Sequence, residues 1–230
     1  MVPVDHLIGI PLPPSNIATA LLNSYRGSIH WYIRVHHEPS FRARLKPILD
    51  TGLASRQQRP LLLLALIVMV CGARCIPPEE QETIDTEISM ADMTSNMFNT
   101  CERWFLPLMD SVTVDTVIYS YLLATHYLWT RQTRAAFLTL GATVRAAQFI
   151  GLNREAQWGD ITDMERETRR CAWWSVFIGV GYVADIRFVA GSCCVPISDV
   201  GMQIHFNVLG HTADAQRDRL SSWSAYRRGR

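Results

Sequence analysis

Six cysteines, seven histidines and a few acidic pairs are the residues of this 230-residue chain whose types could do chemistry. Cys71 and Cys75 lie one helical turn apart in an apolar run, Cys101 and Cys171 stand alone, and Cys193 and Cys194 are adjacent. Zinc is held when closely spaced cysteines are followed by a second ligand pair at finger spacing. No Cys-x-x-Cys occurs here and no histidine pair follows, so the cysteines are expected to be inert, buried thiols behaving as small hydrophobes. A disulfide scaffold is not expected in a chain of this size, in which no secretory leader is read, and a reducing compartment is expected instead. His30, His36 and His37 cluster in one short stretch, but no cysteine or carboxylate stands one turn away on a clear helix to complete a metal site. Glu38 adjoins His37 in sequence only, and a catalytic dyad needs convergent geometry. These histidines are expected in a connector, partly buried and hydrogen-bonded.

The other chemical motifs fail on spacing. There is no Gly-x-Ser-x-Gly elbow, no phosphate loop and no Gly-x-Gly-x-x-Gly; Gly179-Val180-Gly181 lacks the third glycine and falls in mid-helix. Glu79-Glu80 follows Pro77-Pro78, where carboxylates favour a helix start. No catalytic constellation remains, and the chain is not expected to be an enzyme. Net charge is +1 and 48% of residues are hydrophobic, which suits a packed domain and gives no basic face for nucleic acid. The one basic cluster, Arg227, Arg228 and Arg230, reads as a solvated tail.

The elements that must carry these residues are helical. Met1 to Pro14 is proline-rich and reads as a loose lead-in in which prolines forbid a helix. Ser15 is expected to cap a helix from Asn16 to about Trp31, with Ile17, Leu21, Tyr25 and Ile29 on one stripe. Pro39 ends an extended connection, and Ser40 is expected to cap a helix carrying Phe41, Leu45, Ile48 and Leu49, with Pro47 inside it as a point of kinking or shortening. Thirteen residues separate Pro60 from Arg74, nearly all apolar. A bilayer span needs about twenty, so a fully buried core helix is the reading, with no membrane partner. A helix from Pro77 to about Asp110 turns Met93, Met97, Phe98, Cys101, Trp104, Phe105 and Leu108 inward. Another runs from Thr113 to Arg131.

A helical hairpin follows. Phe137, Leu140, Gly141, Val144 and Ala147 form one stripe of its first helix. Gly151 sits where a left-handed C-terminal residue is wanted, and Leu152 can fold back on that stripe. Thr162 and Glu165 make a capping box for the second helix, and Glu165 meets Arg169 one turn later. Trp173 and Trp174 are ~100° apart around a helix, so one is expected deep in the core and the other at a groove or interface. Gly179 and Gly181 weaken the helix unless a neighbour packs closely there.

The run Arg145-Ala146-Ala147-Gln148, Gly151-Leu152-Asn153-Arg154, then Glu165 and Glu167, Arg169-Arg170 and Trp173-Trp174-Ser175 resembles the middle homology region of fungal zinc-cluster transcription factors. Upstream, Tyr32, His36 and Pro39-Ser40-Phe41 resemble the end of that region's first helix and the opening of its second. Gly72-Ala73-Arg74 fits the end of its apolar helix. The chain departs from the family at Asn153, where the family has His. It also departs at Asp185-Ile186-Arg187, where the family has an Asp-Arg pair, and at Gly191 to Pro196, where it has Gly-Arg-Pro.

The resemblance covers about Asn16 to Pro196 and implies an all-α, multi-helix regulatory domain, C-terminally truncated: lead-in 1–14, regulatory domain 15–200, polar tail 201–230. It implies transcription regulation in the nucleus, in a metabolic or secondary-metabolite pathway. Its motif residues here are Arg145, Gly151, Leu152, Arg169, Arg170, Trp173 and Trp174. The family's six-cysteine zinc cluster is not found, so no cofactor is expected in this chain, and DNA would be reached only through a module it lacks. Expected partners are the transcription machinery, a DNA-binding protein or a dimer subunit. A fragment, a truncated gene product and a regulator acting through another subunit all fit. The alternative is a helical small-molecule-binding protein or enzyme with coincidental motifs.

Overall fold

The computed structural model describes residues 1–31, 33–77, 81 and 89–190, with side chains as far as residue 180. The described helices are α1 (Val4–Ile8), α2 (Ser15–Ser28), α3 (Glu38–Thr51), α4 (Arg59–Ala73), α5 (Met90–Leu108), α6 (Val114–Trp129), α7 (Thr133–Phe149) and α8 (Asp163–Ala190). A two-residue antiparallel pair, β1 (Val2–Pro3) with β2 (Leu53–Ala54), accompanies them. The fold is therefore all-α, as the hydrophobic periods predict. Two units divide at residue 180, Met1–Gly179 and Val180–Arg230. The packed helices belong to the first; of the second, the structure describes the continuation of α8 to Ala190.

The most apolar run becomes the axis of the packing. Every residue of α4 from Pro60 to Ala73 is buried, because α2, α5 and α6 cover it. With the 3-10 turn before it, the stretch Arg56–Ala73 is long and apolar enough to cross a membrane, yet 78% of it is buried inside the protein. Arg59 and Pro60 supply its start, and Gly72 lets it approach α2. A Cβ on Gly72 would stand 2.1 Å from the Leu21 carbonyl oxygen, and the Ser24 hydroxyl donates to the Gly72 carbonyl at 2.9 Å.

Several buried hydroxyls are satisfied locally, which allows them in the core. The Thr143, Ser120 and Thr125 hydroxyls each donate to the carbonyl four residues back, at 2.7–2.9 Å. The Tyr119 hydroxyl donates to the Cys101 carbonyl, tying α6 to α5. The expected inward face of α5 is observed in Met97, Cys101 and Leu108, with Phe98, Trp104 and Phe105 half-buried.

Several local expectations give way to tertiary structure. The lead-in is ordered: Val4, Leu7 and Ile8 of α1 are buried, and Pro3 precedes the helix rather than interrupting it. The Ile8 carbonyl at its C-terminal end accepts from Arg103 at 2.9 Å and from Trp104 at 3.0 Å, which satisfies an oxygen with no helical donor. Ser15 is the first residue of α2 rather than its cap, and the helix ends at Ser28, where Ile29 and His30 both donate to the Tyr25 carbonyl. On α3 the cap is His37, whose Nδ1 accepts from the Ser40 amide at 3.3 Å; Ser40 lies inside the helix and shares a 2.7 Å hydrogen bond with the same nitrogen. Ser89 opens α5. The start expected at Pro78-Glu79-Glu80, the Asp185 and Arg187 side chains, Gly191 to Pro196 and the terminal arginines lie outside the described residues.

Candidate functional site

The motif residues lie on the α7–α8 hairpin, and its loop is built first from backbone rules. The Gly151 amide donates to the Gln148 carbonyl and the Leu152 amide to the Ala147 carbonyl, both at 3.0 Å. These two bonds are the Schellman closure, and Gly151 takes the left-handed φ of +71° that it requires. Leu152 is buried. The chain then makes a 3-10 turn at Glu155–Gln157 and reaches Thr162, whose hydroxyl accepts from the Glu165 amide at 3.2 Å. That is half of the expected capping box; the Glu165 carboxylate turns instead to Arg169 at 2.7 Å.

Side chains then clamp this loop. Trp158 is buried and its Nε1 donates to the Gly151 carbonyl at 2.8 Å. The Arg169 guanidinium lies over the Trp158 ring, 5.8 Å from its centroid. Arg170 grips the Glu155 carboxylate through two hydrogen bonds and approaches Glu167 at 3.6 Å. The Arg170 hydrogen bonds hold the Glu155 carboxyl below the usual carboxylate range, and the same contact raises Arg170. Gly151 and Arg169 thus meet at one indole, while Arg170 fixes the same loop through Glu155. Trp158 and Glu155 were not singled out by sequence reasoning; an aromatic residue stranded in a polar loop was the available signal.

Arg145 is not part of that assembly and lies on the exposed side of α7. The buried side of α7 is Ala136, Thr139, Leu140, Thr143, Ala146 and Ala147, a stripe rotated from the expected one, so Phe137 and Gly141 face outward. Small residues there let α7 lie closely along α6. The tryptophans also differ from expectation. The deeply buried positions of α8 are Ala172 and Val176, while Trp173 is half-buried and Trp174 is 54% exposed. Gly179 continues that small-residue line, and a Cβ there would stand 2.9 Å from the Tyr121 ring and 3.5 Å from Leu140. Close packing on α6 and α7 therefore accounts for Gly179.

Cys71 and Cys101 are free and fully buried, and burial pushes both thiols up, away from the thiolate a metal or a nucleophile needs. Burial also pushes Cys171 up to about 11. Among the described residues no three His, Cys, Asp or Glu side chains are grouped to hold a metal ion. His37 is spent on its cap, and His36 is buried among aromatic rings.

Known proteins resemble this chain over most of its length. The model of the fungal specific transcription factor domain matches residues 22–178, which include the hairpin and its clamp. Similar curated proteins are the transcription factor macR of Penicillium terrestre, 23% identical, and the transcription factor yanR of Aspergillus niger, 24% identical. Another is the thiamine repressible genes regulatory protein thi1 of Schizosaccharomyces pombe, 20% identical. Each alignment covers 72% of this chain but only 21–22% of the relative, so the chain spans about a fifth of the length of these proteins. No solved structure matches. By its match over 22–178 and the helical architecture that carries it, the chain belongs to the fungal specific transcription factor domain family.

Proposed function

We propose that this chain is the helical regulatory domain of a zinc-cluster-type fungal transcription regulator, acting in the nucleus on DNA read by a module other than the chain itself. The observation that carries this reading is the family match over residues whose side chains build a clamped hairpin rather than a catalytic centre. Regulation of transcription is what the names of the relatives have in common. The pathway reading, metabolic or secondary-metabolite, rests on the resemblance, and thi1 is named for thiamine-repressible genes. A net charge of +1 supports the view that the chain contributes regulation rather than duplex affinity, because non-specific DNA binding is an electrostatic property of a basic face.

The test fuses the 230-residue chain to a heterologous DNA-binding module in a filamentous fungus that carries the matching reporter. Reporter transcription several-fold above or below that of the module alone is expected. A fusion that is folded and nuclear yet leaves the reporter unchanged contradicts the regulatory reading. Sequence-specific duplex binding by the chain alone at physiological salt contradicts the assignment of DNA reading to another module.

A further inference from the structure

The α2–α3 junction holds a group of rings that the hairpin does not use. His36 lies 4.9 Å from His30, 4.9 Å from Phe41 and 6.0 Å from Tyr25, the last nearly parallel to it at 14°. His36 is buried, and neither of its ring nitrogens has a hydrogen-bond partner among the described residues. Nδ1 of His30 is buried and unpartnered in the same way. A buried polar ring left unpaired costs stability, and a buried cation left unpaired costs far more. We propose that the Tyr25, His30, His36 and Phe41 cluster is a proton-sensitive latch that holds the described connector residues 29–31 and 33–37 between α2 and α3 and releases them when His36 takes up a proton.

The titratable and charged groups around the cluster come from each neighbouring element. From α2 come Tyr25 and the cation Arg26; the connector adds His30, Arg34 and His37; and α3 adds Glu38 and Arg42. On the α8 side, Arg34 acts on the Cys171 thiol. Glu38 is the carboxylate that favours a proton on His30, and it is already engaged by Arg42. Burial, then His30 and His37, hold His36 down to about 3. Burial, then Arg34, lower His30 as well. The unfolded chain protonates these imidazoles near their ordinary value while the folded chain does not, so stability is whole above about pH 6.5 and falls as pH drops below it. His36, held far below its ordinary value, costs roughly tenfold in the folding constant per pH unit in that window.

The test uses the full chain at pH 7.5 and 5.5, with denaturant melts and amide exchange corrected for its intrinsic pH dependence. The wild type should lose stability at the lower pH, with residues 29–41 gaining exchange before the rest of the domain. His36→Phe keeps a ring of similar size and cannot titrate. It should remove about tenfold of the pH 7.5-to-5.5 loss and keep 29–41 protected. His126→Phe, at a separate buried histidine held at about 4, should reduce the overall loss but leave the early exchange of 29–41 in place. An unchanged loss in His36→Phe, or a wild-type connector that opens only with the whole domain, overturns the latch. Should His36→Phe fail to fold, the ring carbons of His36 in the wild type are followed by NMR. A neutral ring down to the unfolding transition is expected, and titration near the ordinary histidine value in the folded state overturns the proposal.

Discussion

Two helices of this domain end in the same way with different residues. After α6, the Arg131 amide donates to the Leu128 carbonyl at 3.0 Å and the Gln132 amide to the Tyr127 carbonyl at 2.8 Å; after α7, Gly151 and Leu152 repeat the pattern. The left-handed residue is Arg131, with φ of +62°, in the first turn and Gly151, with φ of +71°, in the second. An L side chain in that region meets a steric cost of about 1–2 kcal/mol, which glycine avoids. The first turn bears the cost because it joins α6, buried from Thr116 to Tyr127, to an α7 packed along it. The second turn has further work: its carbonyl receives Trp158, and through that indole the loop meets Arg169. A strained residue survives where helices on both sides fix the turn, and glycine stands where the turn must also seat a loop.

The largest effect expected on this comparison comes from Trp158→Ala. It removes a buried indole, the hydrogen bond to Gly151 and the surface under Arg169, and should cost about 3–5 kcal/mol in a denaturant melt. A loss below about 1 kcal/mol would show that the two turns do not differ in what they support. Gly151→Ala comes next. Nothing lies within 4 Å of the added Cβ, so the change tests backbone conformation alone, and a loss of about 1–2 kcal/mol is expected. Arg131→Gly should act in the opposite direction, a gain of up to about 1 kcal/mol once the entropy of the more flexible unfolded chain is subtracted. The smallest effect belongs to Glu155→Gln. The pair with Arg170 is exposed, so about 0.2–1 kcal/mol is expected at neutral pH. Because Arg170 depresses the Glu155 carboxyl, this contribution is present above the ordinary carboxylate range and is lost as pH falls from that range through the lowered folded value; wild type and variant should converge in melts below it.

The same contrast explains what could be read from the sequence. Gly151 announces its turn, since a glycine followed by an apolar residue at a helix end has few other uses, and Thr162 and the Glu165–Arg169 spacing announce the next helix. Arg131 announces nothing, because its conformation is imposed by the packing of α6 on α7. The buried run of α4 was legible from hydrophobicity alone. Trp158 and the ordered α1 were not, because their partners, Gly151 and the Arg103–Trp104 pair, are not set by any helical period; His37 was passed over because Ser40 beside it is the commoner capping residue. The tryptophans of α8 misled for a related reason. Size suggested burial, but the line that faces α6 and α7 is built from Ala172, Val176 and Gly179, whose smallness permits the close approach.

The most direct test of the hairpin is a paired melt of Gly151→Ala and Arg131→Gly against the wild type in one buffer. The structure predicts opposite shifts: a lower melting temperature for Gly151→Ala and an equal or higher one for Arg131→Gly. A raised melting temperature for Gly151→Ala would mean that α7 runs on through position 151 as an ordinary helix, and the clamped hairpin that carries the motif residues would not exist.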